Sequence, residues 1–105
     1  CDIDPMARDA ALINAQLNEV NVSVSAQLPA PGEADLITAA DVLYDPDNLP
    51  LLQQFQQLSK QVLLADSRIK VLPVDFLKQL TVREARTWPD LNEFEEFNQV
   101  RLYAS

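Results

Sequence analysis

Cys1-Asp2-Ile3-Asp4-Pro5 opens the chain and runs without a turn into Met6-Ala7-Arg8-Asp9-Ala10-Ala11-Leu12-Ile13-Asn14-Ala15-Gln16-Leu17-Asn18. Asp4 can accept from the free N–H groups of a first helical turn, and Pro5 suits the first helical position. Met6, Ala10, Ile13, Leu17 and Val20 then recur at steps of four and three, which predicts one buried face of an amphipathic helix. The chain thus reads as starting at the tail of a strand, in the middle of a domain. Its acid, Asp2, would be aimed into the crevice beside the following helix. In open α/β sheets nucleotide-like ligands bind in that crevice, and an acid there commonly grips ribose hydroxyls.

Working outward, Val22-Ser23-Val24-Ser25-Ala26-Gln27 places β-branched residues at alternate positions and predicts a short strand. Leu28 to Glu33, with two prolines and the lone glycine, is a loop. Asp35 to Tyr44, an apolar run enclosed by acids, predicts a central strand buried on both faces, with Asp41 near its C-terminal end. Asp45-Pro46-Asp47-Asn48 is a turn and cap cluster. Leu51, Leu52, Phe55 and Leu58 give a second amphipathic helix whose other side is rich in glutamine. Gln61 to Asp66 is a further apolar strand, ending in an acid and Ser67. A short helix is expected over 73–80, with Phe76, Leu77 and Leu80 inward. Strands at or near a sheet edge are expected over 81–88 and 99–103, joined by a loop with one helical turn. An antiparallel pair closing a mostly parallel sheet is common in mixed α/β domains. No repeat or linker divides residues 1–105, so one structural unit is expected.

Composition narrows the function classes. The chain has 105 residues, 48% of them hydrophobic and 23% charged, with a net charge of −8. That is a globular balance, and its sign argues against a grip on nucleic-acid phosphates. No apolar run is long enough to span a bilayer, and the start has no signal-peptide pattern. One cysteine, Cys1, cannot form an intrachain disulfide, so a reduced cytoplasmic setting is expected. With no histidine the chain cannot itself supply a Ser-His-Asp or Cys-His catalytic set or histidine zinc ligands, and no metal site is expected. Gly32 is the single glycine where average usage would give roughly seven, so no Gly-rich phosphate or cofactor loop lies within these residues.

The order of elements resembles a class I, seven-strand S-adenosylmethionine-dependent methyltransferase from its second strand onward. Asp2-Ile3-Asp4-Pro5 with Asn14-Ala15-Gln16-Leu17-Asn18 is similar to that superfamily's second-strand motif and following helix. Ala34-Asp35-Leu36-Ile37 leading to Ala40-Asp41-Val42-Leu43-Tyr44-Asp45 resembles its fourth-strand motif. Asp41-x-x-Tyr44 looks like the Asp/Glu-x-x-Tyr/Phe signature of the seven-strand lysine methyltransferases. Within these, the chain is most like the electron-transfer-flavoprotein β-subunit lysine methyltransferases and their nicotinamide-methylase-like bacterial homologues. The resemblance spans essentially all of the chain, and the order and spacing of the motifs carry it.

That resemblance implies a Rossmann-like sheet and transfer of a methyl group from S-adenosylmethionine to an amine, with protein lysine the leading acceptor and a small-molecule amine second. It implies that Asp2 accepts the two ribose hydroxyls, since a carboxylate has two acceptor oxygens matched to a vicinal diol. Ile3 would pack on the adenine, Gln27 would meet its edge, and the small Ala39 and Ala40 would pass the methionine part. Asp41 and Tyr44 would orient the acceptor nitrogen at the substrate mouth. The first strand, its Gly-rich turn and the next helix are absent, so the chain reads as the C-terminal portion of such a domain, inactive alone. Two sheet edges left beside the missing strand would favour self-association.

Plainer readings stand beside these. Asp2 could be a solvated strand-end acid, Asp4 a helix cap, Asp41 a strand-end acid and Tyr44 a core tyrosine. Asp66 and Ser67 suit a turn, Trp88 packing under the final loop, and Glu93, Glu95 and Glu96 a solvated face. The rival function is a non-catalytic Rossmann-like interaction domain. A dinucleotide oxidoreductase is disfavoured by Asp41-x-x-Tyr44 and by the antiparallel close of the sheet.

Overall fold

The computed structural model describes residues 1–92 and 94–105, in two compact units, 1–30 and 31–105. Glu93, one of the three acids read as a solvated face, lies outside the described residues.

The first unit is built on helix α1, Pro5–Leu17. It starts as the sequence predicts: Asp4 Oδ1 accepts from the Met6 amide at 2.8 Å and Pro5 occupies the first turn. At its end the Val20 amide donates to Ala15 O and the Glu19 amide to Gln16 O. This pair of bonds needs a left-handed residue just past the helix, usually glycine. Here Glu19 takes it, at φ 55°.

Three expectations fail in this unit. Met6, Ala10, Ile13, Leu17 and Val20 are all exposed, and only Ala15 of α1 is buried. Residues 1–3 and 22–27 are not strands, and the two segments share a single described backbone bond, Asp2 N to Ser25 O at 3.0 Å. These failures have one cause. A strand needs a ladder partner and an apolar helix face needs a surface to cover, and residues 1–30 alone supply neither.

The second unit is a small α/β arrangement around a four-stranded mixed sheet of order β1-β2-β4-β3. Its strands are β1 Leu36–Ala40, β2 Gln61–Asp66, β3 Lys78–Glu84 and β4 Gln99–Ala104. β1 pairs parallel with β2, in register from Leu36 opposite Gln61 to Ala40 opposite Ala65. β4 runs antiparallel to both its neighbours, β2 and β3. By neighbours, then, the sheet has one parallel pair and is mixed where a mostly parallel one was expected.

Helix α2, Pro50–Leu58, covers one face of β2 with Leu52 and Phe55, and its glutamines 53, 54, 56 and 57 are exposed. Ile37, Leu43, Val62, Leu64, Leu77 and Tyr103 complete the buried set. On the other face Leu36 and Leu63 are exposed. β1 is accordingly an edge strand buried on one side, not a central strand buried on both. The expected helix over 73–80 does not form. Leu77 is buried, but Leu80 is exposed at an irregularity between Gln79 and Thr81 where β3 pairs with β4. An eight-residue helix has little stability of its own, and the ladder to β4 supplies more backbone hydrogen bonds. The expected helical turn in the final loop is a 3₁₀ turn over Glu95–Asn98.

Candidate functional site

β1 and β2 end side by side because they are parallel and in register, so Asp41 and Asp66 emerge at one carboxyl-end rim. Asp41 stands at φ 46°, ψ 38°, the left-handed region that Asp tolerates better than most residues. Its amide donates to Ala65 O at 2.9 Å, which extends the parallel ladder by one bond. Its Oδ1 accepts from both the amide and the hydroxyl of Ser67, at 2.9 and 2.8 Å. Asp41 is thus an exposed acid clamped through one oxygen, and its Oδ2 carries none of the described hydrogen bonds.

The strand expected to reach Tyr44 stops at Ala40, and Val42–Tyr44 is a 3₁₀ turn. The Asn48 side chain holds that turn by donating to Val42 O at 2.9 Å. Tyr44 is 69% exposed, which excludes the core-tyrosine reading. Ala40 is exposed at the same rim.

Asp66 is fully buried. Its Oδ1 accepts from the amides of Arg68 and Ile69 at 2.8 and 2.7 Å, the turn role expected for it. That turn holds Ser67 against Asp41. Arg68 in turn lies over the Phe97 ring, 4.4 Å from its centroid.

Asp2, Ile3 and Gln27 belong to the first unit, where the backbone amides of Asp2 and Gln27 both meet Ser25. The Asp2 amide donates to Ser25 O at 3.0 Å and the Gln27 amide to Ser25 Oγ at 3.0 Å. Asp2 Oδ1 accepts from the Asp4 amide at 2.9 Å, and Arg8 donates to the carbonyls of Asp2 and Ile3. All three residues are exposed. Asp2 keeps Oδ2 and the second lone pair of Oδ1 for any diol.

Two depressions, of about 370 and 440 Å³, lie elsewhere. The first is lined by Gly32, Asp35, Ser59 and Lys60, at the amino ends of β1 and β2, and the second by Gln53, Gln56 and 73–76. Neither includes a sequence-predicted site residue. Among the described residues no group of three or more His, Cys, Asp or Glu could hold a metal ion. Trp88 is 96% exposed, which overturns its reading as a packing residue.

The sequence did not reveal the buried polar pair behind the rim. Tyr103 on β4 is 4% exposed, and burial pushes its phenol above the ordinary value. The Asp66 carboxylate adds to that rise and Arg101 opposes it. The only sequence signal was an acid closing the apolar run Val62-Leu63-Leu64-Ala65.

Chemically, the rim offers an exposed carboxylate, Asp41, and, three residues on, an exposed phenol, Tyr44. These can accept from an amine and balance a positive charge. They offer no base-activated nucleophile. Among the described residues no helix is long and apolar enough to cross a membrane. The chain matches no family model, no curated protein and no solved structure.

Proposed function

We propose that residues 1–105 belong to a Rossmann-like S-adenosylmethionine-dependent methyltransferase domain that methylates an amine. A protein lysine is the leading acceptor, a small-molecule amine the second, and the setting is cytoplasmic. The observation that carries this reading is the rim: Asp41, on the parallel β1–β2 pair, is held by Ser67 with one carboxylate oxygen left over. The antiparallel β4, inserted between β2 and β3, supports it further as the antiparallel close that the resemblance implies.

The fit to the cofactor is divided. Asp2 and Gln27 suit an adenosine, because a diol acceptor and a residue with a side-chain amide are joined through Ser25, with the exposed Ile3 next to Asp2 in the chain. A cradle for the methionine carboxylate is not among these residues: Gly32 is the sole glycine, and nothing lies within 4 Å of where its Cβ would stand. When bound, S-adenosylmethionine supplies an electrophilic methyl group on a sulfonium. Transfer from it is an in-line displacement, so the chain's task is positioning. Ala40 leaves room at the strand end. Asp41 Oδ2 and the Tyr44 phenol orient the acceptor nitrogen and balance its positive charge until a proton leaves.

Calorimetry and turnover assays on the full gene product test this. Asp2→Ala weakens S-adenosylmethionine binding by about 1.5–3 kcal/mol, the worth of hydrogen bonds to a charged group. Asp41→Ala lowers turnover with cofactor affinity kept, because it removes orientation at the acceptor. Unchanged affinity in Asp2→Ala, or micromolar cofactor binding by residues 1–105 alone, overturns the assignment.

A non-catalytic interaction domain is the second reading, favoured by the exposed apolar side chains Met6, Ile13 and Leu17 on α1 and by the exposed Leu36 and Leu63. Edge strand β1 carries no charge, proline or bulge, which favours self-association of the 105-residue chain. Light scattering is then expected to give species heavier than 11.8 kDa.

A further inference from the structure

Among the described residues, two buried side-chain polar atoms have no hydrogen-bond partner: Asp66 Oδ2 and the Tyr103 hydroxyl. Leaving either unpaired away from water is costly. The sheet register puts them together. Tyr103 stands opposite Leu64, and Asp66 is two residues beyond Leu64, so both side chains leave the same sheet face as diagonal neighbours. That spacing is within reach of a tyrosine. Each also lacks what the other offers, since a neutral phenol donates and an ionised carboxylate only accepts.

We infer that the Tyr103 hydroxyl and Asp66 Oδ2 belong to one buried hydrogen-bonded chain, closed through one internal water, and that Tyr103 is thereby a positioning residue for Asp41. The remaining links are present in the structure. Asp66 Oδ1 holds the amides of Arg68 and Ile69, and the turn so formed presents the Ser67 amide and hydroxyl to Asp41 Oδ1. Asp41 needs such a clamp because its left-handed backbone costs about 1–2 kcal/mol relative to an ordinary conformation. The last strand of the sheet thus reaches the rim through four residues. The rise in the Tyr103 pKa agrees with this, because it keeps the phenol protonated, and so a donor, at neutral pH. Arg101, opposite Asp66 on β4, is the other charged group bearing on the pair. The link from Tyr103 to Asp41 is structural; its bearing on turnover rests on the methyltransferase reading.

Tyr103→Phe in the full gene product gives the test a sign. If the hydroxyl were unpaired, its removal would leave Tm unchanged or raise it. The chain requires instead that Tm falls by several degrees and that the amide protons of Ser67, Arg68 and Ile69 exchange about tenfold faster or more. Asp66→Asn, which keeps the volume and one acceptor oxygen, should shrink the effect of Tyr103→Phe when the two are combined. In the unaltered protein the Tyr103 hydroxyl proton should be visible by NMR in slow exchange, a measurement that does not depend on any variant folding. A raised or unchanged Tm, strict additivity with Asp66→Asn, or a fast-exchanging hydroxyl overturns the inference. For turnover, Tyr103→Phe should lower kcat several-fold with S-adenosylmethionine affinity unchanged. If the stability and exchange results hold but the unaltered protein transfers no methyl group, the methyltransferase reading fails and the structural chain stands.

Discussion

Residues 1–30 and 31–105 each carry a helical apolar stripe and reach different ends. α1 repeats apolar residues at helical spacing over four turns and buries only Ala15. α2 is shorter, with 9 residues against 13, yet it buries Leu52 and Phe55. The helices differ in neighbour as well as in pattern, α2 being the more one-sided of the two. α2 packs on β2, which lies between β1 and β4, whereas the segments expected to flank α1 as strands make one described bond between them. An amphipathic stripe states which side wants covering, but a paired sheet must exist before that side is covered.

Core truncations should expose this contrast most strongly. Leu64→Ala or Leu52→Ala, each at a fully buried position, is expected to cost about 2–5 kcal/mol in urea unfolding. Leu17→Ala, on the exposed face of α1, should stay within about 0.5 kcal/mol. Equal costs would mean that α1 is covered in solution.

The two capping acids come next. Asp66→Ala leaves the Arg68 and Ile69 amides without their acceptor in a half-buried turn, and about 1–3 kcal/mol is expected from denaturant unfolding. Asp4→Ala removes one exposed bond to the Met6 amide, for about 1 kcal/mol, read as lost helicity by circular dichroism. The reverse order would show that the first unit is the stiffer one.

Alkaline pH should act on the second unit alone. The folded-state pKa of Tyr103 is raised above its unfolded value of 10.0, chiefly by burial. Between the two values the unfolded chain binds fewer protons than the folded one, so stability falls as pH rises. The contribution is fully present below about pH 10 and is lost as pH climbs through the folded pKa. Tyr103→Phe should flatten that limb of a stability-versus-pH curve. An unchanged limb would mean that Tyr103 does not cause it.

The smallest effect concerns the acids at positive φ. Glu19→Gly relieves a left-handed residue whose side chain makes none of the described hydrogen bonds, and a gain of up to about 1 kcal/mol is expected. Asp41→Gly relieves the same backbone but gives up both Ser67 bonds, and a net loss is expected in the same unfolding assay. A gain at both positions would show that the Ser67 clamp is worth little.

Local chemistry made much of this legible. Asp4 and Pro5 start α1, and Pro46 to Asn48 form a turn capped by Asp45. The stripe of Leu52 and Phe55 faces inward, and Asp66 serves its turn. Each of these depends on bonds or contacts within a few residues, or on one face of one helix. At the rim, the sequence singled out Asp41 and Tyr44 as residue types, but not the left-handed backbone of Asp41 or its clamp by Ser67, 26 residues away. The exposure of Trp88 was equally hidden, because a lone aromatic has no periodicity to read.

By itself, then, the sequence determined the start of α1, the turn acids, the apolar runs that become β1 and β2, and the absence of any histidine or Gly-rich chemistry. Only the tertiary structure decided that β4 inserts between β2 and β3, that 78–84 is strand and not helix, and that 22–27 forms no strand. It alone brought the Asp66 carboxylate and the Tyr103 phenol to one buried face. The physical reason is range. Caps and turns are satisfied by neighbours along the chain, whereas a strand or a buried charge exists only when a distant segment supplies the other half of its hydrogen bonds.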